Sequence, residues 1–83
     1  MTNAEIQKSI ELNIFAANGF LTRRVKPRNY PEVNYCLAMG IAIGFNLYRL
    51  RDNLAVKDEQ YTAITGFLDR MSIAIKELED IYA

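Results

Sequence analysis

The sequence predicts an all-α protein made of a short N-terminal helix, a basic proline linker and a long antiparallel helical hairpin that oligomerises through its helix faces. Apolar residues recur at helical spacing in three segments, and we expect no strands. The only two prolines, Pro27 and Pro31, lie in one short stretch that a continuous helix cannot cross. The 83 residues are expected to form a single domain, residues 1–83.

The first helix is predicted over about residues 3–18. Thr2 and Glu5 have the spacing of a capping box, in which the hydroxyl and the carboxylate each accept a hydrogen bond from the other residue's backbone amide. One apolar face follows at i+3 and i+4 spacing: Ile6, Ile10, Ile14, Ala17 and Leu21. Asn18-Gly19 predicts the end of this helix, because glycine readily adopts the left-handed conformation that closes one. The linker then covers about residues 19–30.

The second helix is predicted over about residues 31–53, with Pro31 in its first turn and Glu32 at its positive end. Its sequence is apolar nearly all round, so we expect it to be covered on most sides. Small residues recur every four positions and predict a stripe against which another backbone comes close: Cys36, Gly40 and Gly44.

The third helix is predicted over about residues 58–82, with Asp58 as its cap. Its apolar residues are spaced alternately three and four apart: Tyr61, Ile64, Leu68, Met71, Ile75, Leu78 and Tyr82. This heptad seam is typical of helix–helix packing. The short connection to the second helix favours an antiparallel pair.

Charge is divided unevenly along a chain whose net charge is zero. Residues 21–51 carry six basic side chains and one acid, a net +5, whereas residues 52–83 carry three basic side chains and seven acids, a net −4. Four of the basic residues form the segment that we call the basic cluster: Arg23, Arg24, Lys26 and Arg28. An antiparallel hairpin would bring the acidic end of the third helix beside this cluster. Such a split favours internal or inter-subunit pairing, or an anion site, over general coating of DNA.

Composition argues against several classes of function. The chain has no histidine, and its single cysteine, Cys36, lies within an apolar run, so neither a catalytic pair nor a soft-metal site is indicated. We therefore expect no enzymatic activity, no cofactor and no metal. No apolar signal segment opens the chain, and the uncharged run Val33–Tyr48 is shorter than a membrane span, so we expect a cytoplasmic protein with no membrane association. A core this small favours a homo-oligomer.

The basic cluster has three interpretations. It can form salt bridges with the acidic tail, as most charged segments do. It can form an anion pocket in which arginine and lysine hold phosphates while Tyr30 or Tyr35 stacks on a base. It can also contact nucleic acid, although four charges on a short linker give only weak, salt-sensitive affinity, so nucleic acid is the least expected partner. The candidate ligand-binding residues are Arg23, Arg24, Lys26, Arg28, Tyr30 and Tyr35.

From Arg23 onward the chain resembles the small helical-hairpin proteins with which tailed phages evade cyclic-nucleotide signalling defences, the anti-CBASS sponge type. The resemblance lies in Arg23-Arg24-Val25-Lys26-Pro27 before Tyr30 and Tyr35, an alanine-rich apolar helix, the polar turn Lys57-Asp58-Glu59 and a final amphipathic helix. The chain lacks the proline in the turn and the late tryptophan that such proteins often carry.

The resemblance implies an oligomer that encloses cyclic oligonucleotide messengers and releases them unhydrolysed. It also implies that a tyrosine stacks on a base while arginine or lysine contacts the phosphates, in the host cytoplasm if the chain is phage-encoded. The alternative is a helical protein–protein interaction module, or a regulator that acts on a host protein through an exposed helical face.

Overall fold

The computed structural model describes residues 2–23 and 30–81, and the side chains of residues 2–22 and 31–80. Within these ranges the chain forms three helices and no strand: α1 (Asn3–Arg23), α2 (Tyr30–Arg51) and α3 (Glu59–Ile81). The all-α prediction is confirmed. Among the described residues, no helix combines the length and apolar character needed to cross a bilayer.

Helix α1 is longer than predicted. It begins as expected, because Glu5 N donates to Thr2 Oγ1 at 3.2 Å and Thr2 N donates to Glu5 Oε1 at 3.3 Å, which confirms the capping box. The predicted stop at Gly19 is wrong, since the helix continues to Arg23. Burial of Phe20, which is 7% exposed, outweighs the cost of about 1 kcal/mol for a glycine within a helix. The N-terminal helix is therefore not short, and residues 19–23, predicted to belong to the linker, are helical.

Helices α2 and α3 begin and end within two residues of the predicted positions. Asn53 N donates to the carbonyl of Leu50, a tighter i to i−3 hydrogen bond that ends α2 just before the predicted residue. At the start of α3, Gln60 N donates to Asp58 Oδ1 at 2.8 Å, so Asp58 caps α3 as predicted.

One hydrophobic core joins the three helices. Its fully buried large side chains come from all of them: Ile10, Leu47, Ile64 and Met71. The apolar faces predicted for α1 and α3 both point into this core: Ile10 and Ala17 are fully buried, and Leu78 is nearly so. Both amphipathic patterns are thus confirmed as core-facing.

The small residues of α2 receive side chains rather than another backbone. A Cβ placed on Gly40 would lie 2.7 Å from Phe20 Cζ and 3.3 Å from Ile75 Cγ1, which leaves no room for a methyl group. At Gly44 the nearest neighbour is Leu68 Cδ2, at 4.0 Å. The expectation of a close backbone approach is therefore wrong, because the space at Gly40 holds the Phe20 ring of α1.

The contacts between α2 and α3 pair later residues of α2 with earlier residues of α3. From the start to the end of α2, three positions lie beside successively earlier parts of α3: Gly40 beside Ile75, Gly44 beside Leu68, and Arg51 beside Thr65 and Tyr61. Gln7 of α1 and Gln60 of α3 exchange two side-chain hydrogen bonds, at 2.7 and 2.8 Å, at the end of the bundle where α1 and α3 begin. Away from this end, Phe20 of α1 and Ile75 of α3 both lie beside Gly40 of α2.

Candidate functional site

A groove lies between α1 and α2 at the end of the bundle where α1 ends and α2 begins. Its volume is about 590 Å³. We call it the aromatic groove, and its lining residues are Phe15, Ala16, Asn18, Gly19, Phe20, Thr22, Tyr35, Cys36 and Met39. Most of the lining is apolar, so the groove suits a flat, hydrophobic group such as a base or an aromatic ring.

Two aromatic side chains on this groove are unusually exposed. Phe15 is 80% exposed and Tyr35 is 67% exposed, whereas Phe20 between the helices is almost completely buried. Met39, at 40% exposure, adds a flexible, polarisable side chain beside them. An exposed ring has a free face on which a ligand can stack, because no other part of the described chain covers it.

The sequence places these side chains at the groove for simple geometric reasons. Phe15 does not share the helical spacing of Ile10, Ala17 and the rest of the α1 core face, so α1 directs it away from the core. Gly19 lies one turn further along α1, and a Cβ there would have no neighbour within 4 Å. The groove is therefore open at Gly19, between the two helices.

Of the six predicted ligand-binding residues, only Tyr35 has a described side chain. Arg23 is the last residue of α1 and Tyr30 is the first of α2, but both side chains lie outside the described set. Arg24, Lys26 and Arg28 lie outside the described residues altogether. The structure thus places Tyr35 on the aromatic groove and leaves the contacts of the basic cluster as a prediction.

Sequence reasoning missed Phe15 and Met39. The sequence does contain a signal for Phe15: a large aromatic residue that lies off the core face of an amphipathic helix indicates a candidate binding surface. The groove itself cannot be predicted from the sequence, because two residues that line it, Phe20 and Thr22, fall in the predicted linker rather than in a helix.

A second, more polar hollow of about 420 Å³ lies between the first half of α1 and the end of α2. It is lined by Ser9, Asn13, Asn46, Arg49, Leu50 and Asn53. The Asn13 amide donates to the Ser9 carbonyl of α1 at 2.8 Å, and the Asn53 amide, in the turn that follows α2, donates to the Arg49 carbonyl at 3.1 Å. Both side chains already donate to nearby backbone carbonyls, which makes this hollow a weaker candidate than the aromatic groove.

The side of α2 that faces away from α1 and α3 is apolar and exposed. Ile41, Phe45 and Tyr48 are 56%, 61% and 51% exposed, and the small residues Ala38 and Ala42 lie exposed among them. We call these five residues the outer face of α2. Single exposed apolar residues are common on proteins, but a continuous uncharged helix face is typical of an interface. Within one chain, α2 is therefore not covered on most sides, contrary to the sequence expectation.

The two arginines at the end of α2 lie far from the aromatic groove of the same chain. The Arg51 guanidinium lies over the rings of Tyr48 and Tyr61, with Cζ 4.8 and 5.0 Å from their centroids, and donates from Nη1 to Thr65 Oγ1 at 2.9 Å. Its Nε is buried without a hydrogen-bond partner. Arg49 is exposed and lies 5.8 Å from the Phe45 ring. Arg51 thus joins α2 to α3, while Arg49 is available on the surface.

No cluster of three or more potential metal ligands occurs among the residues that the structure describes. Comparison with protein-family models, with curated proteins and with solved structures finds no match for this chain.

Proposed function

We propose that this chain is a non-catalytic binding protein that sequesters a cyclic oligonucleotide in the aromatic groove. The observation that carries the proposal is the exposed Tyr35 ring on a groove of about 590 Å³, at the start of α2. A base enters the groove and stacks on Tyr35, with Phe15 and Met39 providing further apolar contact. Stacking of this kind contributes about 1–3 kcal/mol per base and tolerates any base, because every base has a π face.

The anionic part of the ligand is held by the basic cluster. The cluster begins at Arg23, the last residue of α1, and lies in the segment that joins α1 to Tyr30 at the start of α2. Arginine binds phosphate oxygens through two parallel hydrogen bonds, and lysine adds a compact positive charge. The positive end of the α2 dipole also favours an anion at this end of the bundle. Base stacking and phosphate contacts are then provided by neighbouring parts of the chain.

In this proposal α2 and α3 form an antiparallel hairpin within a homo-oligomeric protein, and α1 packs beside α2 to complete the groove. The protein carries out no chemistry on the ligand, because sequestration requires only tight binding. It would lower the free concentration of a host signalling nucleotide, the role that the resemblance to phage immune-evasion proteins implies.

Isothermal titration calorimetry with a panel of cyclic di- and trinucleotides tests the proposal. We expect binding at micromolar ligand or below, and recovery of intact nucleotide after the protein is denatured. Tyr35→Ala should lower the affinity at least tenfold, whereas Tyr35→Phe, which keeps the ring, should not. Lys26→Glu and Tyr30→Ala should also weaken binding by well over about 1 kcal/mol. An absence of heat with every member of the panel would contradict the proposal.

A second candidate function is capture of a host protein by the outer face of α2. The exposed Ile41, Phe45 and Tyr48 side chains favour it, since apolar faces of this kind receive helices or loops of other proteins. A protein of this second class would retain its partner when Tyr35 is replaced and would be indifferent to nucleotides.

A further inference from the structure

The outer face of α2 is an apolar surface that the single chain leaves uncovered. Four aromatic side chains lie on this face or on the adjoining groove: Phe15, Tyr35, Phe45 and Tyr48. At 51–80% exposure they leave on the order of 500 Å² of apolar surface in contact with solvent. Of these four, only Phe45 and Tyr48 belong to the outer face. Together with Ile41, which is 56% exposed, they leave on the order of 300 Å² of apolar surface outside the aromatic groove, a small interface beside the ~800 Å² that each partner buries in a standard one.

The pattern on this face is complementary to itself. Small and large side chains alternate along it, with Ala38 and Ala42 beside Ile41 and Phe45. If a second α2 is laid on the first in the opposite direction, about a two-fold axis that passes between Ile41 and Ala42, each Phe45 faces Ala38 of the other copy. Ala42 then lies beside its own symmetry mate, where two alanines allow the helices to come close. An isologous interface of this kind is the commonest way in which identical chains associate.

The electrostatics of the face suit the same arrangement. Between Val33 and Tyr48 the helix carries no charge, so no like charges are brought together at the centre of the interface. Because the two helices run in opposite directions, the positive N-terminal end of each α2 dipole also lies beside the negative C-terminal end of the other. Charged side chains meet this face at its end: Arg49, which is exposed in the single chain, lies over the Phe45 ring, and Arg51 lies over the Tyr48 ring.

We infer that the outer face of α2 binds a second copy of this chain in the antiparallel sense, and that each copy contributes Arg49 to the aromatic groove of the other. In this register Arg49 of the second copy lies beside Tyr35, on the side of α2 that borders α1. A guanidinium there can lie over the Tyr35 ring or contact a phosphate of a ligand stacked on it. The inference of a dimer depends only on the apolar outer face of α2. The contribution of Arg49 to ligand binding also rests on the proposed function.

Analytical ultracentrifugation of the full chain tests the dimer. The wild-type protein should sediment as a dimer of about 19 kDa, twice the 9.5 kDa of one chain. Phe45→Glu should raise the dimer dissociation constant at least a hundredfold. Ile73→Glu is the matched control, because Ile73 on α3 is 58% exposed against 61% for Phe45 but lies away from the proposed interface. A monomeric wild type would overturn the inference, and so would equal dimer dissociation constants for Ile73→Glu and Phe45→Glu. The outer face of α2 would then be expected to bind a different protein.

Circular dichroism separates loss of the dimer from loss of the fold. Phe45 is already largely exposed in the single chain, so Phe45→Glu should keep the helical signal of the wild type. Cross-linking gives a second measurement that does not disrupt the interface. In a Cys36→Ser background, Ala42→Cys should oxidise to a disulfide-linked dimer, whereas Ser72→Cys, which is also exposed but on α3, should not. Equal cross-linking at both positions would contradict the antiparallel register.

The Arg49→Gln variant distinguishes the effect of Arg49 on ligand binding from its effect on dimerisation. This variant should remain dimeric and bind cyclic dinucleotide about tenfold more weakly than the wild type, as expected for loss of a charged hydrogen bond. A dimeric wild type that binds no nucleotide would leave the interface standing and refute the proposed function. A nucleotide-binding monomer would refute the interface and leave the function standing.

Discussion

The Phe20 ring of α1 packs directly against Gly40 of α2, at a point where no side chain of α2 could fit. A Cβ on Gly40 would lie 2.7 Å from Phe20 Cζ and 2.9 Å from Phe20 Cε2. This contact holds the second half of α1 on α2, and it forms the floor of the aromatic groove because Phe20 is also a groove residue. The fold and the candidate site therefore depend on the same pair.

Gly40→Ala should destabilise the protein even though alanine is the better helix former. The added methyl group would force the buried Phe20 ring to move, an overpacking cost of about 1–3 kcal/mol that exceeds the ~1 kcal/mol gained in helix propensity. We expect a net loss of about 1 kcal/mol in the free energy of unfolding, measured by urea denaturation.

Gly44→Ala is the matched control for that experiment. The new methyl group would meet only Leu68 Cδ2 at 4.0 Å, an ordinary van der Waals distance, so Gly44→Ala should stabilise the protein by about 0.5–1 kcal/mol. Equal effects of the two substitutions would show that the close contact at Gly40 is not a constraint.

Phe20 also shows which features of the fold can be predicted from the sequence and which cannot. The core faces of α1 and α3 follow directly from helical periodicity, and Ile10, Ile64 and Met71 are buried as that periodicity requires. The end of α1 could not be predicted from Asn18-Gly19, because the local stop signal is overridden by burial of Phe20 against a helix distant in sequence. Local propensity contributes about 1 kcal/mol here, and the burial of one aromatic side chain contributes more.

The candidate site was only partly predictable for the same reason. Tyr35 was identified from its position near the basic cluster, whereas the groove beside it depends on how α1 packs on α2. Phe15 and Met39 acquire their role only once that packing is known. A sequence pattern can reveal the chemistry of a residue, but the surface on which it lies is set by tertiary contacts.

Arg51 should contribute more to stability than an exposed arginine. Its guanidinium lies over two tyrosine rings and donates to Thr65, whereas the exposed Arg70 lies over one ring, that of Phe67, at 4.5 Å. We expect Arg51→Ala to lower the free energy of unfolding by about 2 kcal/mol and Arg70→Ala by about 0.5 kcal/mol. If Arg51→Ala were neutral in thermal and urea denaturation, the cost of its buried Nε would cancel the ring contacts, and Arg51 would not be holding α2 and α3 together.

Asp58 should stabilise the start of α3 through its side-chain acceptor. Removal of the hydrogen bond from Gln60 N in Asp58→Ala should cost about 1 kcal/mol. Asp58→Asn keeps an acceptor oxygen at the same place and should cost less than about 0.5 kcal/mol. Hydrogen exchange of the first-turn amides of α3 provides the local readout. Equal acceleration of exchange in both variants would mean that charge, not the hydrogen bond, caps the helix.

Binding of a cyclic oligonucleotide by Tyr35 in a dimer is most directly tested by native mass spectrometry of the chain mixed with cyclic di- and trinucleotides. We expect the wild-type spectrum to show a dimer that retains a cyclic nucleotide. Tyr35→Ala should give a dimer of the same chain stoichiometry without the ligand, because only the stacking surface has been removed. A wild-type spectrum with no bound nucleotide, or a Tyr35→Ala spectrum that retains the ligand as fully as the wild type, would contradict the aromatic groove as the binding site.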